Sequence, residues 1–311
     1  GPKVDKISTE ELNRIQDILD VFTKVREAGE LPPPECTFTL KNAINPYREA
    51  LLEGGIPDTD PRTPERKDIM VNLGDVLKAD IASYHASNLE AWVKDLEGLK
   101  LSLSPEKRKI IELELADGCI PIFMPGARIQ QDTTTEQYKE NLKPVWIKDG
   151  EAQVVNDAYM WDHIKKLITD KDPLLTKDVP ARPYVLLVKP TQKPEARTCS
   201  KDVPQQKAEE KKINKKRSAK SLAPMFPIKP VEYAWLQRRF TEMLKEEIPT
   251  LTNLSPLDST TLTRFIDLPV AEASVPSGYF LTDSAQVRFS RDDTATPNGN
   301  CGFRSVVRVE I

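Results

Sequence analysis

Long hydrophobic runs are missing from this chain of 311 residues. Even an apolar stretch such as Tyr184-Val185-Leu186-Leu187-Val188 is far too short to cross a bilayer, so no membrane span is expected. Cysteine is scarce: Cys36, Cys119, Cys199 and Cys301 lie far apart, form no C-x-x-C pair, and signal neither a zinc site nor a dense disulfide framework. They read as reduced. Histidine is scarcer still. His85 and His163 have no second His or Cys at ligand spacing, which sets aside most metal-hydrolase and Ser-His-Asp chemistry and leaves two structural histidines. No metal and no cofactor is therefore expected. Neither sign of charge dominates: 45 Lys and Arg stand against 48 Asp and Glu, a net charge of −3, which lacks the basic face of a dedicated nucleic-acid binder. An initiating methionine is absent too. Gly1-Pro2 looks like what a protease leaves when a tag is removed, so the native N-terminus is expected to lie outside this sequence, and localisation stays open.

What is present is 39% hydrophobic and 30% charged, enough for two compact domains or one domain with a large helical extension. Residues 8–28 predict a helix: Ser8 and Glu11 form a capping box, and Leu12, Ile15, Leu19, Phe22 and Val25 recur at helical spacing. Gly29 and Pro32-Pro33-Pro34 end it. Asn45 caps a short helix with Pro46 in its first turn, Thr63-Pro64-Glu65 starts another, residues 72–99 carry an apolar stripe, and Ser104-Pro105-Glu106 opens a further helix. Residues 1–116 are thus expected to be a mainly helical N-terminal region.

The character changes at Ile120. Ile120-Pro121-Ile122-Phe123-Met124 reads as a buried strand, and Lys148-Asp149-Gly150-Glu151 between β-prone runs as a hairpin turn. A helix is expected over 158–168, a strand over 183–188, and a strong amphipathic helix over 230–247, ended by Pro249. Between these, 191–227 is polar and Pro-flanked, with seven basic residues from Lys207 to Lys220, and is expected to be a disordered insertion. Its basic run suits a nucleic acid, a nuclear import receptor or an acidic membrane surface. No aromatic is interleaved between Lys201 and Leu222 for base stacking, so the plainer reading, a solvated insertion, is taken. Beyond the last helix the chain is loop-rich: 262–268 is apolar enough to dock, and short strands at 279–281, 287–289 and 303–309 are separated by long loops.

The order of these segments, and the ending Val287-Arg288-Phe289-Ser290, a turn-rich stretch to Cys301, then Gly302-Phe303-Arg304-Ser305-Val306-Val307-Arg308-Val309, resembles the variable proteins of diversity-generating retroelements and the related formylglycine-generating enzyme superfamily. The resemblance covers 120–311 in outline and 275–311 in motif. It implies an α+β, C-type-lectin-like fold for 117–311, with long irregular loops and a variable ligand-binding region at about 275–304. In that family, adenine-specific substitution of asparagine codons never yields Lys, Glu, Gln, Met or Trp. Those five types make up 72 of the 311 residues, so about eight are expected in the 36 residues from Ala273 to Arg308, where Gln286 alone occurs.

The implied function is non-enzymatic binding of a variable ligand of protein class, on a chain that is a monomer or weak dimer and suited to display on a cell or virion surface. The expected ligand-binding residues are Tyr279, Leu281, Arg288, Ser290, Arg291, Asp292, Asp293, Thr294, Thr296, Asn298, Asn300 and Cys301. Tyr supplies rigid contact area, Arg forked charge, and Asp, Thr and Asn adaptable hydrogen bonds. If Val287, Phe289, Phe303, Val306 and Val309 face inward, strand alternation turns Arg288 and Ser290 outward. Two alternatives stay open: an oxygen-dependent enzyme of the formylglycine-generating kind, weakened because the tail holds Cys301 alone and no Gly-Gly-Ser-Trp stretch, and a structural or assembly protein. Calcium-dependent sugar binding is disfavoured, since neither Glu-Pro-Asn nor Trp-Asn-Asp occurs.

Overall fold

The computed structural model describes residues 8–27, 36–61, 66–141, 143, 145–148, 151–154, 158–248, 250, 256–268 and 273–311. It is mixed helix and sheet, of the α+β class. Helix α1 (Thr9–Glu27) starts where expected, with the Glu11 N–H donating to Ser8 Oγ at 3.1 Å, but its Leu12, Ile15 and Ile18 are exposed. Then follow β1 (Thr37–Ala43), α2 (Pro46–Glu53), β2 (Lys67–Asn72), α3 (Leu73–Ala86), α4 (Glu90–Glu97) and α5 (Pro105–Ala116). Asn45 and Ser104 cap α2 and α5 through their side chains. The helical stripe over 72–99 divides at Ser87-Asn88, where Asn88 takes a left-handed φ of 59°.

Among the helices of the first third lie two strands that the sequence reading did not include. β1 and β2 pair antiparallel, Phe38 with Val71 and Leu40 with Ile69. The reason is alternation: Phe38 and Leu40 are buried while Thr39 and Lys41 face solvent, a period of two. The helical start at Thr63-Pro64-Glu65 lies outside the described residues.

Next come β3 (Ile120–Met124), α6 (Ala127–Gln131), α7 (Thr135–Asn141), β4 (Val145–Lys148), β5 (Glu151–Val154), β6 (Tyr159–Met160), α8 (Asp162–Thr169), β7 (Tyr184–Val188), α9 (Val203–Ala219), β8 (Phe226–Pro227) and α10 (Pro230–Glu247). The chain closes with β9 (Leu262–Arg264), β10 (Ser274–Leu281), β11 (Gln286–Asp293), β12 (Cys301–Gly302) and β13 (Ser305–Glu310). β4 and β5 form the expected hairpin, whose Asp149-Gly150 turn lies outside the described residues, as does Pro249 after α10.

Three further expectations change. The helix read from Ala158 begins at Asp162, because Tyr159 and Met160 run parallel to β11 and the Trp161 N–H donates to Phe289 O. Instead of short strands only, β10 and β11 make a hairpin in full register over eight residues each. The segment expected to be disordered, 191–227, carries α9. Its low apolar content is offset by polar anchoring: an Asp202/Gln205 capping box, Pro204 in the first turn, and helix-forming Ala, Glu, Gln and Lys. On its inner side Asn214 bonds Met225 in both directions, Arg217 pairs with buried Glu114, and Ile213 is buried.

α10 is the centre of the molecule, buried on nearly every side. Trp235 packs on Tyr84 and Trp92 from α3 and α4, with ring centroids at 4.4 and 5.8 Å, and Arg239 pairs with buried Asp80 of α3 at 2.7 Å. The first third therefore shares one core with the remainder. Glu232 takes the Arg308 guanidinium bidentately at 2.8 Å, tying α10 to the antiparallel sheet β3-β7-β13-β8. Tyr233 packs on Phe265 and Phe289, tying α10 to the second sheet, β12-β9-β10-β11-β6. Gly278 permits that approach, since a Cβ there would come within 2.6 Å of the Tyr233 ring.

Candidate functional site

The hairpin β10–β11 separates its residues at its turn end, whereas Val275 and Ser277, on the same side as Tyr279, are fully buried. Phe280, Val287 and Phe289 are buried against the core, so Tyr279, Leu281, Arg288 and Ser290 point the other way and remain partly exposed. Register places Tyr279 opposite Arg288, and the parallel β6 places Tyr159 on the far side of Arg288. The three form one row across adjacent strands, which lie about 4.8 Å apart. Within it the Arg288 guanidinium stacks over the Tyr159 ring at 5.2 Å and its Nε donates to Gln286 Oε1 at 2.9 Å. Held this way, the arginine loses little further freedom on meeting a ligand. Just beyond lies Trp161, with Arg291 at 6.0 Å and His163 at 4.8 Å from its ring; Nε2 of His163 has no hydrogen-bond partner among the described residues.

The neighbouring loop is built differently. Arg264 of β9 is fully buried and pairs with Asp292 at 2.7 Å, while its terminal nitrogens donate to the carbonyls of Lys201 at 2.8 Å and Thr296 at 2.9 Å. One guanidinium thus fastens β9, β11, the approach to α9 and the loop after β11. Asp293 closes the loop from within, accepting from the Ala295 N–H and the Thr296 hydroxyl, and these two bonds hold its carboxyl below the usual range. Asn298 O accepts from Ser200 N, Asn298 Oδ1 from Asn300 N, and Asn300 O from Leu262 N, leaving the side chains of Thr296, Asn298 and Asn300 on the surface. Thr294 is half-buried, its hydroxyl on Ala273 O.

Of the twelve residues expected to bind, Tyr279, Leu281, Arg288, Ser290, Arg291, Thr296, Asn298 and Asn300 reach the surface, and Asp293 and Thr294 are turned into the loop's own hydrogen bonding. Asp292 is mainly a partner of Arg264. Cys301 is a correction: it is fully buried, because β12 runs beside β9 and places it in the interior. Burial, then the Asp292 carboxylate beside it, pushes its thiol up to about 12.

The Gly-Phe-Arg segment is scaffold, and each residue has a reason. A Cβ on Gly302 would fall 2.5 Å from Thr198 Oγ1 and 2.6 Å from Pro194 Cβ, so only glycine fits. Phe303 is core. Arg304 is buried, pairing with Asp258 at 2.9 Å and donating to Thr191 O at 2.7 Å. Asp258 also accepts from Tyr233, Thr261 and Thr263, so the motif is locked to α10 and β9 through one carboxylate.

Tyr159, Trp161 and Arg264 were missed from sequence. The alternation Tyr159-Met160-Trp161 was open to reading as a strand edge, and a lone arginine inside the apolar run 262–268 signals a buried partner. An open cleft of about 360 Å³ lies among α2, β2, α3 and α10, lined by Leu40, Ile69, Val71 and Met243, and shares no residue with this face. Among the described residues no three His, Cys, Asp or Glu side chains gather as a metal site, and no helix is long and apolar enough to cross a membrane. Comparison with protein-family models, curated proteins and solved structures gave no match.

Proposed function

We propose that this is a non-enzymatic, receptor-like binding protein of the kind diversified by retroelements, in which residues 117–311 form a C-type-lectin-like domain. The outer face of β10–β11, together with the loop 294–300, recognises variable protein ligands. The observation that carries the reading is a coincidence of composition with position. The stretch 273–308, almost free of the five residue types that adenine substitution cannot produce, is also where buried Phe280, Val287 and Phe289 back the partly exposed Tyr279, Leu281, Arg288 and Ser290 at the turn end of β10–β11. Tyr, Trp and Arg on a rigid sheet are the residue types that dominate binding energy at protein interfaces. Gly302-Phe303-Arg304 leads into β13, which lies between β7 and β8, in keeping with a late core strand. Burial pushes the Cys301 thiol up to about 12, which disfavours the thiolate that the rival enzymatic reading would draw on.

The test is a displayed library in which Tyr279, Leu281, Arg288, Ser290, Thr296, Asn298 and Asn300 vary over the types reachable from an asparagine codon, selected against several unrelated proteins. Most members are expected to stay folded and each target to yield specific binders. A library that mostly unfolds, or that yields none for any target, refutes the reading.

A further inference from the structure

The outward side of α9 carries two rows of lysine. Lys207, Lys211 and Lys215 follow one another at i,i+4, and Lys212, Lys216 and Lys220 make a second row beside them, all exposed. Successive members of a row rise about 6 Å, and the whole array spans about 20 Å. Like charges at i,i+4 repel, and Glu209 and Glu210 are the only acidic residues on the helix to set against them, Glu210 acting on Lys207. Among the described residues none of these six has a carboxylate within salt-bridge range, whereas Lys41 pairs with Asp68, Lys171 with Asp132, Lys189 with Asp117 and Lys229 with Asp267. The helix is not free to rearrange around the problem. Its underside is fixed by the Asn214–Met225 bonds, the Arg217–Glu114 pair and the Asp202/Gln205 capping box.

We infer that this ridge is a binding site for the phosphate backbone of a nucleic-acid duplex. A rigid linear array of cations matches a linear array of phosphates, and such contacts position a protein without reading sequence. No aromatic lies on α9 for base stacking, which points to a duplex rather than a single strand. A membrane-surface helix needs an apolar side to insert, and outward apolar positions on α9 are limited to Ala208 and Ala219, with Pro204 at its start. The charge is local: seven basic and two acidic residues occur from Val203 to Lys220 in a chain whose net charge is −3.

Fluorescence anisotropy of a labelled 20-base-pair duplex, titrated with the full chain across KCl concentrations, tests this. If five lysines engage phosphates, log affinity falls with log salt at a slope of about −4.5, roughly a 500-fold loss between 50 and 200 mM. Replacing Lys211, Lys212, Lys215 and Lys216 with Gln, a change neutral for helix propensity that relieves the like-charge repulsion and so should not lower the melting temperature, should reduce the slope by about 3.6. No binding at 50 mM KCl overturns the inference. So does an unchanged slope in the variant, which would place the contact elsewhere, such as at Arg288 and Arg291. Partition onto phosphatidylserine vesicles without duplex binding would assign the ridge to membranes instead and likewise overturn it.

Discussion

Replacing Arg264 with Met keeps the buried stem and removes the guanidinium that braces the loop beside the outer face of β10–β11. The side chain is fully buried, whereas Asp292 retains 22% exposure, so the carboxylate left behind is partly solvated. Breaking a buried pair by removing one partner costs about 3–5 kcal/mol, and partial solvation favours the lower end. The carbonyls of Lys201 and Thr296, bonded at 2.8 and 2.9 Å, lose their donor and add about 1 kcal/mol between them once water reaches the loop. The expected loss is about 4 kcal/mol. With an unfolding entropy of about 2.1 cal/mol/K per residue, a chain of 311 residues melts about 6 °C lower. Asp292→Asn added to Arg264→Met removes the stranded charge and should recover about 1–2 kcal/mol, a coupling that a double-mutant cycle reads directly. Calorimetry on the four proteins is the assay. A drop under 2 °C for the single variant, or a double variant worse than the sum of the singles, would refute the bracing role.

Two further outcomes follow from the scaffold. Gly302→Ala places a methyl within 2.6 Å of Pro194 and Thr198 side-chain atoms, and overpacking of this kind should cost about 3 kcal/mol in urea unfolding while Gly299→Ala, with only Ser200 Oγ at 3.6 Å, costs less than 1. Glu232 concerns pH. Burial works to raise its carboxyl, but the Arg308 guanidinium, the Lys229 N–H and the Tyr184 hydroxyl outweigh it and hold it below the usual range. A carboxyl depressed on folding adds stability above its unfolded value near 4.3 and loses it as pH falls through the folded value, so the contribution disappears in acid below about pH 4. Glu232→Gln should therefore be about 3 kcal/mol less stable at pH 7, from a stranded Arg308, yet lose less than the parent between pH 6 and pH 3. Equal pH dependence in the two proteins would contradict this assignment.

Local signals written in single residues were legible. Ser8, Asn45 and Ser104 cap helices where they stand, and the buried run 120–124 and the β4–β5 hairpin form as read. Val287 and Phe289 are buried by alternation on β11, a local property, whereas Val306 and Val309 stand on opposite faces of β13 and are both buried, with Val307, because that strand lies inside its sheet. What escaped depends on partners distant in sequence. α9 has too little apolar surface to order itself, and its order comes from Glu114 and Met225. Tyr159 enters the site only through parallel pairing with β11, 129 positions away from Arg288 in the chain. Cys301 looked like a loop residue because its neighbours are Asn, Gly and Asn, and pairing with β9 draws it inward. The same long-range pairing explains why Arg264 outranks most of the expected loop residues in holding the site's shape.

Sequencing the genomic DNA around the gene tests the proposed function most directly. A near-copy of the segment encoding 273–308 is predicted beside a reverse-transcriptase gene, differing at adenines within codons for surface residues such as Tyr279, Arg288, Ser290 and Asn298, and matching at Gly278, Phe289, Gly302 and Arg304, which the scaffold requires. Flanking DNA with no such copy, or a copy whose differences fall on the buried positions, would contradict it.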